Sequence, residues 1–266
     1  MNIRVVPKKK PQMKNFTMVC DVPIRKPKTI CIDMLHRLNS ASTLMVLGPP
    51  GSGKTTWVLQ FLSSKDLMHG QFARIFIVSP PGSRASWNSK KNPLSRLPEE
   101  RFFDEPSVPA LEEIERQVRE IAERNPDQPK DNKYFSCVVL DDVQDYMKDP
   151  EVVRYLKRFA MNRRHNYVFL ILICQNYLAL SKDVRQIINS IVCFGVSKEQ
   201  QCDLAREYFL GKESDFFQLT RSIFTPDRKN SWLMMTRDGE IFNDWDQIVL
   251  GDEKEKDTEE CPPQKK

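Results

Sequence analysis

The stretch TLMVLGPPGSGKTTW, residues 43–57, decides how the rest of the chain is read. An apolar run suited to a buried strand, Thr43–Leu47, breaks abruptly into three glycines, two prolines and a lysine. Residues 48–55 fit the pattern G-x-x-x-x-G-K-[ST]. Glycines let successive backbone N–H groups turn towards one point and form an anion nest. A helix opening at Gly53 aims its unpaired N–H groups and positive dipole end at the same point. Lys54 adds a mobile charge for the outer phosphates, and Thr55 offers a hydroxyl to Mg²⁺. An ordinary Gly-Pro turn is the plain alternative, but it explains neither the strand before nor the helical pattern after. The stretch reads as a nucleoside-triphosphate site, with Mg²⁺ as the accompanying ion. Its expected nucleotide contacts are Gly48, Pro49, Pro50, Gly51, Ser52, Gly53, Lys54, Thr55 and Thr56.

The chain has 266 residues, 40% of them hydrophobic, enough for one sizeable core. No apolar run approaches the roughly 20 residues of a membrane span, so no membrane partner is expected. The seven cysteines are scattered, and Cys137, Cys174 and Cys193 fall inside apolar runs as buried thiols do. An intracellular, reducing setting follows, with nucleus and cytoplasm both open. The formal net charge is +5 and unevenly spread. Residues 1–14 carry five Lys/Arg and no acid, which reads as a solvated basic arm, a nuclear-import signal or a nucleic-acid contact. The expected layout is a basic arm and lead-in at 1–38, one nucleotide-binding domain at 39–250, and a disordered charged tail at 251–266.

Within the domain, strand-like runs at Thr43–Leu47, Arg74–Val78, 135–140, 167–174 and 191–196 are rich in Val, Ile and Phe. Amphipathic stripes lie between them: Leu111, Ile114, Val118 and Ile121 in one, and Val152, Val153, Leu156 and Phe159 in another. The alternation predicts a three-layer α/β sandwich on a mainly parallel sheet. Residues 80–107, broken by prolines and charge, read as a partly mobile surface insertion. After a helix near 197–210 come two late strands, 232–236 and 240–242, joined by a turn at Arg237, Asp238 and Gly239.

The run at 135–140 leads into two acids. Asp141 at its tip suits a water-mediated Mg²⁺ ligand, as a Walker B aspartate is, and Asp142 suits the polarisation of an attacking water. Solvated acids in a turn are the plain alternative. The apolar run at 167–174 leads into Gln175. If its strand lies between the P-loop strand and the Asp141 strand, Gln175 falls between Lys54 and Asp141 and senses the terminal phosphate. The bland reading is a strand-end cap. Arg163, Arg164 and His165 close a helix, where its dipole favours cations; a sharper reading makes one arginine a finger acting on a neighbouring subunit. Arg185 is a second candidate.

Taken in order, GPPGSGKTT, VVLDDVQD, the RRHN run ahead of CQ and the later DVRQIIN resemble viral genome-packaging ATPases. The likeness is to the poxvirus-type branch of the FtsK–HerA superfamily and covers roughly residues 40–200. That resemblance implies a RecA/ASCE-like P-loop NTPase. It implies a homo-oligomeric ring that hydrolyses ATP and drives double-stranded DNA, whatever its sequence, into a preformed capsid. It also implies capsid or portal-vertex proteins as partners, and association with the virion. Carried over by position, Lys54 and Thr55 are nucleotide ligands, Asp141 the metal partner, Asp142 the catalytic acid, Gln175 the sensor and Arg164 the finger. The sequence departs from the superfamily's habit in two places: Asp142 stands where glutamate is common, and Arg163 where glycine is expected.

Two other functions fit the motif. A nucleoside or nucleotide kinase would need an arginine-rich lid, and no compact Arg-x-x-Arg segment stands late in the chain. A non-hydrolysing assembly protein would need neither Asp142 nor Gln175. DNA held through its phosphates would meet Arg84, Lys90, Lys91, Lys157, Arg158 or the N-terminal lysines, though each is also an ordinary solubilising charge. His36, Trp57 and His69 take no functional role, and no cluster of ligands suggests a structural metal.

Overall fold

The computed structural model describes residues 2–6, 41–87, 92–126, 134–228 and 230–251. Among the described residues ten strands form one sheet: β1 (Asn2–Val6), β2 (Thr43–Leu47), β3 (Arg74–Val78), β4 (Phe102–Phe103), β5 (Ser136–Asp141), β6 (Val168–Cys174), β7 (Ser190–Cys193), β8 (Leu233–Thr236), β9 (Ile241–Asn243) and β10 (Asp246–Gly251). Their order is β1-β10-β9-β8-β7-β2-β6-β5-β3-β4. The half from β7 to β4 is parallel, and β8, β9, β10 and β1 pair antiparallel. Strand β6 sits between β2 and β5, the arrangement on which the expected place of Gln175 depends.

The helices are α1 (Lys54–Ser63), α2 (Val108–Ala122), α3 (Pro150–Met161), α4 (Lys182–Gln186), α5 (Lys198–Tyr208) and α6 (Glu213–Ile223). Every residue of β2, β5, β6 and β7 is buried, because helices cover both faces of the parallel half. Side chains alternate between two cores. Met45 and Leu47 join one with α2 to α6, whereas Leu44 and Val46 join the other with Trp57, Val58, Phe61 and Leu62 of α1. All four residues of the first predicted stripe are buried on α2. On α3, Val152, Leu156 and Phe159 are buried and Val153 is half-buried. Helix α3 is capped at its start by Asp149, whose carboxylate accepts from Glu151 N at 2.8 Å, with Pro150 in the first turn. The three cysteines expected to be buried are so, and unpaired.

The structure corrects two of these readings. Residues 2–6 do not form part of a solvated arm; they pair with β10 across Asn2↔Gly251 to Val6↔Gln247. Charge at residues 8–10 dominated the sequence reading, yet Ile3, Val5 and Val6 form a short β-branched run. The remainder of the basic arm and the charged tail beyond 251 lie outside the described residues. Segment 80–107 is not wholly superficial. It supplies Trp87 at 0% exposure and Leu94 at 1%, both in the core around α1, and its β4 extends the sheet beside β3. Trp87 and Leu94, with Leu97 and Phe102 packed beside them, hold the segment against the sheet. The predicted β8–β9 turn is present, with Gly239 at φ 83° and its N–H donating to Thr236 O at 3.0 Å.

At the strand starts opposite the P-loop, Asn189 holds several elements together. Its side-chain oxygen accepts from Thr43 N and from an Arg163 Nη, both at 2.9 Å. Its backbone N–H donates to Thr43 O at 2.9 Å. Asn189→Ala should strand the buried Thr43 N–H and cost about 1–3 kcal/mol. The check is a lower urea midpoint with an unchanged denaturant slope.

Candidate nucleotide-binding site

The loop after β2 is shaped by its glycines. Gly48 donates its N–H to Cys174 O at 3.3 Å, tying the loop to the end of β6. A Cβ on Gly48 would stand 2.7 Å from Ser52 Oγ and 2.8 Å from Phe194 Cβ, so nothing larger fits. Gly53 precedes α1 in the left-handed region, at φ 97°, and no side chain caps the helix. The first-turn N–H groups are therefore left for a ligand. Ser52 Oγ is buried without a partner, a second polar group in the loop that an anion would satisfy.

Lys54 reaches back so that its Nζ lies 2.9 Å from Pro49 O. Partial burial pushes its pKa down, and the charges of Asp141 and Asp142 pull it up. A cleft of about 190 Å³ opens in front of it, lined by Lys54 and Thr55, Asp141 and Asp142, Gln175, and Ser83 and Ser86. The structure brings together the predicted lysine, threonine, both acids and the amide.

The two acids sit in different surroundings. Asp141, 4% exposed at the end of β5, accepts from Trp87 Nε1 at 2.6 Å. Burial raises its pKa to about 6; the Trp87 bond and Lys54 oppose this, and Asp142 adds to it. Asp142 has left the strand and takes φ 54°. Its Oδ1 accepts from Gln175 Nε2 at 2.9 Å and its Oδ2 from Ser83 Oγ at 3.0 Å. Gln175 is oriented from behind, since its backbone N–H donates to Gln144 Oε1 at 3.3 Å.

Ser83 and Trp87 were missed by the sequence reading. Both lie in the segment taken for a surface insertion, and the only signal was a tryptophan in a polar run shortly after β3.

The arginines lie elsewhere. Arg164 is exposed in the turn before β6, and β6 has seven residues, so it stands roughly 23 Å from its own chain's cleft. Arg163 is turned inward, bonded to Ala160 O at 2.7 Å and to Asn189. Arg185 pairs with Glu207 at 3.1 Å and lies over the Tyr177 ring. Of the candidate DNA contacts, Arg84 pairs with Asp104, Lys157 with Asp183 and Arg158 with Glu115. Lys90, Lys91 and the N-terminal lysines lie outside the described residues.

The sequence profile described as Poxvirus A32 protein matches residues 34–261. The chain belongs to that family. Among solved structures, this A32-family chain is similar to B204, the DNA-packaging ATPase from Sulfolobus Turreted Icosahedral Virus. The TM-score is 0.54 at 13% identity, covering 76% of this chain and 96% of that one. It is also similar to the genome packaging NTPase B204 from Sulfolobus turreted icosahedral virus 2 in complex with ATP-gammaS. There the TM-score is 0.52 at 12% identity, over 77% and 97% of the two chains. EssC (ATPases 2 and 3) from Geobacillus thermodenitrificans matches 96% of this chain with 49% of its own, at TM-score 0.53 and 13% identity. No curated protein matches. At such identities the likeness is one of fold, and the fold is that of P-loop ATPases.

Because burial raises the pKa of Asp141 from 3.8 to about 6, the folded chain binds this proton more tightly than the unfolded chain. The stability this adds is complete below the unfolded value and is lost as pH rises through the folded one. By neutral pH the ionised carboxylate costs up to about 3 kcal/mol relative to its acid form. Asp141→Asn should therefore raise the Tm of the ligand-free protein near about pH 7.5, and the gain should vanish near about pH 4. Thermal melts at the two pH values check this.

Proposed function

We propose that this A32-family chain is an ATP-hydrolysing motor that drives double-stranded DNA into a preformed capsid. The observation that carries the reading is the convergence of Lys54, Asp141, Asp142 and Gln175 on one cleft at the mouth of an uncapped glycine loop. The structural relatives support it: one is a DNA-packaging ATPase, and another was solved with ATP-gammaS.

In this reading, ATP is held by the amides of Gly51 to Thr56, on a loop stiffened by Pro49 and Pro50. Lys54 gives up its bond to Pro49 O and turns to the outer phosphates. Thr55 Oγ and, through water, Asp141 would hold Mg²⁺. Among the described residues no three acids, histidines or cysteines converge, which suits an ion that keeps phosphate and water as its other ligands. When bound, Mg²⁺ neutralises charge developing on the transferred phosphoryl group.

Asp142 receives the proton of the attacking water. Each carboxylate oxygen can accept a further bond while Ser83 and Gln175 hold it, and on nucleotide binding the Gln175 amide turns from Asp142 to the terminal phosphate. That exchange couples sensing to chemistry. Two residues beyond Gln175, Tyr177 donates its hydroxyl to Glu207 at 2.6 Å, and Glu207 also holds Arg185. A shift of Gln175 is thereby passed to α4 and α5. Arg164, exposed at the far edge, acts on the next subunit of a ring. The duplex is gripped through its phosphates, so binding should be sequence-blind and should weaken steeply as salt rises.

The decisive measurement is phosphate release by the purified chain with and without linear duplex DNA. Stimulation by the duplex supports the motor, whereas phosphorylation of a small acceptor with indifference to DNA would establish a kinase. Lys54→Ala should lower hydrolysis by about 10²-fold or more. Arg164→Ala alone should lose on the order of 10³-fold. Mixed with Lys54→Ala, it should regain activity, because each variant supplies what its neighbour lacks; a mixture as inactive as its parts rules out action in trans.

A further inference from the structure

The phosphate cleft lies on one flank of the P-loop. Asp141 ends β5, Asp142 follows it and Gln175 follows β6, both strands lying to the same side of β2, so the terminal phosphate must point that way. A nucleotide laid along the loop leaves its sugar and base on the opposite flank, towards β7 and β8. On that flank the chain builds a second cavity, of about 590 Å³, lined by Pro226, Asp227, Arg228, Asn230, Ser231 and Asp244. It reaches the loop directly. A Cβ on Gly53 would stand 3.9 Å from Asn230 Oδ1 and 3.9 Å from Phe194 Cε1.

We propose that this cavity is the nucleoside subsite, taking the ribose and purine base of the nucleotide whose phosphates occupy the P-loop; the proposal rests on the phosphate-site reading above. Its walls are tied to each other and to the phosphate-binding helix. The Asp244 carboxylate accepts from an Arg228 Nη at 2.9 Å, from Ser231 Oγ at 3.0 Å and from Trp232 N at 3.1 Å. One carboxylate thus joins the segment after α6 to the β9–β10 turn.

That turn is held in a costly shape. Asp244 at φ 47° and Trp245 at φ 84° are successive non-glycine residues in the left-handed region, which persists only where the surroundings enforce it. They do so here. Trp245 stacks on Trp57 of α1 at 6.2 Å and meets Trp232 edge-on at 4.7 Å. Trp57 lies three residues past Lys54, so the cavity and the phosphate cradle share one rigid support.

The lining has the chemistry for a nucleoside. With its charge answered by Asp244, Arg228 offers a flat, weakly hydrated guanidinium on which a base can stack. Asn230 offers an amide donor and acceptor to a base edge, and Ser231, whose proton goes to Asp244, keeps an oxygen that can accept from a sugar hydroxyl.

The test compares ATP with inorganic tripolyphosphate, which presents the P-loop's share of the ligand and nothing for the second cavity. Calorimetric affinities would be measured on the full chain. Asn230→Ala and Arg228→Gln should weaken ATP by about tenfold and leave tripolyphosphate unchanged, while Lys54→Ala weakens both. Equal loss of the two ligands in the cavity variants, or unchanged ATP affinity, overturns the proposal. If the unaltered chain binds neither ligand, the phosphate-site reading itself has failed and this one falls with it. An azido-ATP photolabel on the unaltered chain avoids dependence on variant folding. Crosslinks at Pro226, Asp227, Arg228, Asn230, Ser231 or Asp244 support the assignment, and crosslinks confined to other residues refute it.

Discussion

The register of three parallel strands governs this molecule. Leu47 of β2 is paired with Cys174 of β6, and Ile173 of β6 with Asp141 of β5. The glycine loop, the amide and the first acid therefore leave the sheet at one level, side by side. Because side chains alternate along a strand, slipping any pairing by one residue would exchange the faces of the cores and move the polar tips out of line. Burial on both faces makes such slips prohibitively unfavourable. The hydrogen bond from Gly48 N to Cys174 O extends the pairing one step past the strands and sets where the loop begins its turn.

Within that frame, adjacent carboxylates are separated by environment. Asp141 is sunk beneath an indole and resists ionisation, so a cation arriving there replaces a poorly solvated proton site with a favourable pairing. Asp142 stays at the cleft and is held by a serine on one side and an amide on the other. The segment after β3 thus touches both acids, one through Trp87 and the other through Ser83. Any displacement of that segment alters both carboxylates together.

How much could be read from the chain alone follows from what is local. Thr43–Leu47 and the run ending at Cys174 announce buried strands through composition, and GPPGSGKTT states its own conformation through its glycines. Asp141 and Gln175 were found because each ends such a run, and a strand end on this kind of sheet is where ligands sit. Trp87 is 54 residues from Asp141, and no periodicity links them. Strand β1 was hidden because its partner β10 lies at the other end of the sequence, and a short edge strand has no pattern of its own beyond a few β-branched residues. Asn189 fell inside a segment that was matched by resemblance, yet its part in joining strand starts is visible only in three dimensions. Strand ends and loop conformation were legible, and contacts between segments with no shared pattern, such as Trp87 with Asp141, were not.

The left-handed backbone of Asp142 explains a choice that resemblance alone left puzzling. Such a torsion is tolerated by aspartate and asparagine, whose short polar arms can bond locally, and resisted by longer side chains. Lengthening this acid by one methylene would strain the main chain and drive its oxygens past both Ser83 and Gln175. In this chain the shorter acid is therefore built into the bend after β5, and an exchange that looks conservative on paper would disturb the corner it helps to form.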